Sequence, residues 1–176
     1  MPPRSTDCPL LVFARAYDAA MSKRERISDF VRSFDQTASP DTPTLDYYGI
    51  FFQLWNAQRY YEAHDVLEQL WLAEKDLELA HFYQALIQAA GAFVHLQKNF
   101  EYPLHAKHGR RLRPAARLFA LALRNLEQFP NEFRALSLEQ FRQTLARYRD
   151  ELSESHFQRN PWSPQSAPQF SLSARE

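Results

Sequence analysis

The chain is predicted to be all-α, a multi-helical bundle of about six helices folding as a single domain. Three observations lead there. Apolar residues recur at three- and four-residue intervals along most of its 176 residues, the period of a helix with one buried face. Only 3 Gly are present, widely spaced, too few for the tight hairpins of an all-β fold or for a Gly-rich phosphate loop. Hydrophobic residues make up 45% and charged residues 24%, the balance of a chain that builds its own core.

Taken in order, Leu10, Phe13, Tyr17, Ala20, Ile27, Phe30, Val31 and Phe34 predict helix over 9–34, which the polar stretch DQTASPDTPT interrupts. Thr42 followed by Pro43 reads as an N-cap with Pro at the first helical position, opening a helix to about Ala57 whose core face is Tyr48, Phe51, Phe52 and Trp55. A joint at Gln58 and Arg59 leads to a third helix, Tyr60 to Glu74, and a fourth runs from Leu77 to Lys98. Pro103 and Gly109 make NFEYPLHAKHG a loop or a broken helix. Pro114 suits the first turn of a fifth helix that Pro130 ends, and Ser137 with Gln140 forms a capping-box pattern for a sixth, to about Leu152. The organisation expected is therefore an N-terminal helical extension over 1–40, a bundle over 41–152, and an extended or disordered tail over 153–176 in which Trp162 is the residue suited to anchor it. Met21, opening MSKRERISDF, is a second candidate start.

Charge and composition remove several functions. Lys plus Arg and Asp plus Glu both total 21, so no net field draws in a polyanion and nucleic acid is not an expected partner. A small molecule or a protein is; no feature specifies an oligomeric state. The single Cys8 excludes an internal disulfide framework and fits a reducing compartment. No apolar run reaches the ~20 residues of a membrane span, and LLVFA is too short for a secretory signal. The expected location is the cytoplasm.

The chemistry concentrates in two helices. On the third, Ala63, Val66, Leu67, Leu70 and Trp71 form an apolar stripe, and His64 and Glu68 lie four apart at its border, where side chains stack and share a ligand or bond each other. Glu62 and Asp65 lie further round. The fourth helix is apolar nearly all round, yet His81, Gln84, Gln88, His95 and Asn99 fall in one quadrant. Each buried polar group left unpaired costs about 1–3 kcal/mol, so this seam needs partners, water or a ligand. His64, Glu68 and Glu62 are the partners within sequence reach.

The runs NAQRYYEAHDVLEQLW, FYQALIQAAGAFVHLQKN and RPAARLFALALRNL, in that order over residues 54 to about 130, resemble the domain-of-unknown-function 309 family of helical bacterial proteins. The resemblance falls on Asn56, Glu62, His64, Glu68, Trp71, Gln84, Gln88 and His95. Relatives carry the label of metal-dependent hydrolases, and the resemblance implies that activity here. Two departures stand out: Ala85 where relatives have Gly, and the insertion FEYPLHAKHG, which brings His105 and His108 to the end of the site.

Two readings follow. In the first, one divalent ion (Zn, Mn or Fe) is held by His64, Glu68 and His95, with Glu62, His64 and Glu68 as catalytic groups and Asn56, Trp71, Gln84 and Gln88 contacting substrate. In the second, His64 and Glu68 join Gln88 in a structural network, and the bundle binds a small molecule or partner without catalysis. The chain lacks the HExxH of zincins and the paired ExxH of di-iron bundles. Trp55 and Trp71 at helical spacing also read as core, and Lys107, His108, Arg110, Arg111 and Arg113 as a solvated basic face. Cys8 has no His in its neighbourhood to activate it.

Overall fold

A computed structural model describes residues 25, 27, 29, 33 and 46–173. Two compact units divide at Leu45 and Asp46. In the first, Glu25, Ile27, Asp29 and Ser33 are helical; the remainder of the predicted 9–34 helix, with Cys8, Met21 and the Thr42–Pro43 start, lies outside the described residues. The second unit carries α1 (Tyr47–Asn56), α2 (Tyr60–Ala73), α3 (Leu77–Glu101), α4 (Leu112–Leu126), the strands β1 (Glu132–Phe133) and β2 (Leu136–Ser137), and α5 (Leu138–Glu154). The predicted all-α class holds.

Local chemistry sets the boundaries. Asp46 caps α1, its Oδ1 accepting from the Gly49 N–H at 2.8 Å. The joint after α1 is a Schellman turn: Gln58 takes positive φ, the Gln58 N–H reaches the Trp55 carbonyl, and the Arg59 N–H reaches Leu54. The chain therefore reverses within three residues and α2 packs back on α1. Asp76 caps α3 by accepting from Glu78 and Leu79. Pro114 sits in the first turn of α4, where its missing N–H costs nothing. Ser137 occupies the N-cap of α5, but its side chain makes no capping bond; it is also the last residue of β2, paired with Glu132 across a two-residue turn at Arg134 and Ala135. This hairpin has no Gly or Asn at its positive-φ positions, which is why the turn signal was missing from the sequence.

The helices pack in chain order, α1 on α2, α2 on α3, α3 on α4 and α4 on α5. Phe93 of α3 is the hub: its ring lies 4.9 Å from Trp55, 5.2 Å from Tyr60, 5.2 Å from Phe119 and 4.9 Å from Tyr148, so four helices meet on one side chain. Such offset and edge-on pairs each add about 0.5–1.5 kcal/mol beyond the area they bury.

After α5, a second Schellman turn at His156 and Phe157 releases an irregular strap over 158–173 that runs along the bundle. Trp162 and Phe170 are buried. The strap's carbonyls take up polar groups of the core: Trp55 Nε1 donates to Pro168, the Tyr148 hydroxyl to Ser166, and Asn56 bonds both backbone groups of Phe170. Trp162 Nε1 donates to the Tyr60 hydroxyl, and burial pushes that phenol's pKa up to about 12.

Candidate functional site

The site grows out of the contact between α2 and α3. Gly91 faces α2 and α4 together: a Cβ there would lie 3.4 Å from Leu118 Cδ1 and 4.0 Å from the His64 ring. The His64 imidazole thus lies beside Gly91 of α3, with room for no more than a methyl group at ordinary contact distance. His64 Nδ1 lies 3.3 Å from Asp65 Oδ1, and both side chains are partly buried. Glu68, one turn on, completes the group: ligand-capable atoms of His64, Asp65 and Glu68 lie within 4.8 Å of one another.

The imidazole and two carboxylates, presented from one turn and a half of a helix, suit a borderline or hard divalent ion in chemistry and in spacing. The same atoms also suit a local charge network. Sequence reasoning placed Asp65 further round the helix; the structure brings its carboxylate alongside His64. The i to i+1 proximity of a short Asp to a His was the only signal available, and it is too common to be read as a site.

Of the other candidate residues, Glu62 lies outside this group, its Oε1 accepting from Arg59 Nε and Nη2, both at 3.3 Å. Trp71 is half-buried on α2 and Gln84 half-buried on α3. Asn56 is engaged with Phe170 at the opposite end of the loop to α2. Gln88 Oε1 accepts from Asn125 Nδ2 of α4 at 3.0 Å. His95, four residues beyond Gly91 on the same face of α3, has its Nδ1 at 2.9 Å from Arg111 Nη1. Burial, and then the neighbouring guanidinium, push the His95 pKa down. Asn99 is buried and donates to the His108 and Gly109 carbonyls while accepting from Asn160. His81 is exposed.

The polar seam of α3 is thus met by Arg111 and Asn125 at His95 and Gln88, and by the 102–111 loop with the strap at Asn99; these, and not the expected His64, Glu68 and Glu62 of α2, are the partners of those three residues. The role of α4 in this seam was invisible to periodicity, since Arg111 and Asn125 sit on a helix whose polar residues read as solvent-facing. Gly109 allows the loop its close turn: a Cβ there would collide with the Pro103 carbonyl.

Fold and site together define a helical bundle with a cluster of potential metal ligands on one surface-near helix. Residues 49–101, from within α1 to the end of α3, match the family described as Domain of unknown function (DUF309), in agreement with the resemblance read from the sequence motifs. No curated protein and no solved structure matches the chain significantly. Among the described residues no helix is long and apolar enough to cross a membrane.

Proposed function

We propose that His64, Asp65 and Glu68 bind one divalent cation and that the protein is a metal-dependent hydrolase acting at this centre. The observation that carries the reading is the convergence of the three donors within 4.8 Å, joined by the family label that the sequence resemblance implies. His64 and Glu68 keep the roles their spacing suggested. Asp65 is taken as the third donor in preference to His95, whose Nδ1 is engaged by Arg111. A bound ion supplies an activated water and polarises the bond to be broken. Glu62, on the next face of α2 and held by Arg59 through Oε1, is the carboxylate outside the donor set that would accept a proton at Oε2. Gln84, Gln88 and Trp71 line the adjoining helix faces as candidate substrate contacts.

Calorimetric titration of metal-free protein with Zn²⁺ and with Mn²⁺ tests the reading. Stoichiometric binding is expected, weakened about a hundredfold or more in His64→Ala and in Glu68→Gln while both variants remain folded. Equal metal affinity in wild type and in the double variant sinks it.

The 3.3 Å contact of His64 with Asp65 supports a second reading, in which the cluster orients α2 against Gly91 and the bundle binds a small molecule or partner without catalysis. Under that reading no ion binds, and His64→Ala lowers the melting temperature instead.

A further inference from the structure

Arg111 is the N-cap residue of α4 and is partly buried. Its Nε donates to His108 Nδ1 at 2.8 Å and its Nη1 meets His95 Nδ1 at 2.9 Å. A guanidinium can only donate, so both Nδ1 atoms accept, and both imidazoles are neutral with their remaining proton on Nε2 while these contacts stand. His105 falls in the same state, because its Nδ1 accepts from the backbone N–H groups of Lys107 and His108; its ring lies 4.5 Å from that of His108. The three imidazoles therefore have their acceptors occupied, and what they and the guanidinium have left to offer is N–H donors.

The charge count is as one-sided as the hydrogen bonding. Among the described residues no carboxylate pairs with Arg111. Glu101, the acid at the start of the loop, is already bonded to Lys98 at 3.0 Å. The cationic side chains that act on His108 are Arg111, Lys107 and Lys98. Neighbouring arginines are otherwise employed or outside: Arg113 lies over the Phe157 ring and Arg110 is exposed. Arg111 alone is drawn in toward α3 and clamped by two uncharged partners. A side chain so held has lost its rotamer freedom without losing its charge, which is the condition for binding an anion at low entropic cost.

We propose that Arg111, clamped between His95 and His108, is the centre of a binding site for a phosphate group of a small soluble ligand. A planar fork with N–H donors to spare suits an oxyanion bidentately, and the positive charge of Arg111 and Lys107, with no carboxylate paired to Arg111, favours a dianionic monoester over a single carboxylate. His95 is one helical turn, about 6 Å, from Gly91, beside which His64 lies. If the centre at His64 also takes its ion, the hydrolase acts on a phosphate-bearing substrate, a consequence that rests on the metal reading; the phosphate site itself does not.

The test uses metal-free full-length protein, with inorganic phosphate and phenyl phosphate as probes and the histidine ring resonances as readout. Saturable shifts of the His95, His105 and His108 signals are expected. Affinity should fall about tenfold or more in Arg111→Met and in Arg111→Lys, which keeps the charge and loses the fork. It should be unchanged in Arg110→Ala and in His64→Ala, so that failure of the metal site leaves this result standing. Equal phosphate affinity in Arg111→Lys and Arg110→Ala would overturn the proposal, as would binding of an oligothymidylate or of phosphatidic acid vesicles much tighter than that of either phosphate.

Discussion

At the scale of single residues, Gly91 has the sharpest consequence for the proposed centre. It lies inside a helix, where Gly costs about 1 kcal/mol relative to Ala, and it is the position of α3 beside the His64 ring. A methyl group fits at ordinary contact distance from Leu118 and His64. Gly91→Ala is therefore expected to melt at the same temperature as wild type or a few degrees higher, with metal affinity intact. Gly91→Leu overfills the contact, at about 1–3 kcal/mol, and displaces the imidazole. Thermal melts combined with Zn²⁺ titration check both, and a Leu variant that retains full affinity would detach His64 from the α2–α3 contact. The same scale shows what the sequence made legible. His64 and Glu68 could be placed on one face by counting residues, whereas the approach of Asp65 to His64 depends on rotamers that no spacing encodes.

At the scale of elements, α2 and the start of α3 were readable nearly to the residue, because their apolar positions keep helical period, whereas α3 runs on past the expected Lys98 to Glu101. The start of α5 was readable too, although its predicted capping bond does not form. The β1–β2 hairpin was not, since its turn places Arg134 and Ala135 at positive φ without the residues that usually announce it. The contact between α3 and α4 through His95 and Arg111 was equally hidden, being a pairing across a loop. It also sets a pH dependence. His95 has a lowered pKa in the folded state, so the unfolded chain takes up its proton first as pH falls below about 6.5. Stability is unaffected by this group above that pH, declines as pH drops through the window down to the folded pKa, and levels off below it. Urea titrations between about pH 7 and pH 5, above most carboxylate titration, should show this decline in wild type and a shallower one in His95→Gln; identical slopes would remove His95 as the source.

At the scale of the molecule, neutral net charge conceals a segregated distribution, with carboxylates beside His64 and cations around Arg111. The strap is the other feature of this scale. It seals the aromatic core at Trp162 and Phe170 and bonds Trp55, Asn56 and Tyr148 through its own backbone. Removing residues 161–176 uncovers Trp55 and Tyr148 and takes away the carbonyls bonded to them and to Asn56, at about 1–3 kcal/mol for each buried group. The truncated chain is expected to lose most of its cooperative melt, and one that melts like wild type would show the strap to be dispensable. Trp55 and Pro168 are 113 residues apart in the chain, and Asn56 and Phe170 are 114 apart. Contacts that distant are made late and slowly. During synthesis, therefore, α1 emerges well before the strap and must wait for it before its indole and amide find their carbonyls. The half-built bundle stays open to chaperones, and to misassociation through its uncovered aromatic face, until translation has passed the strap.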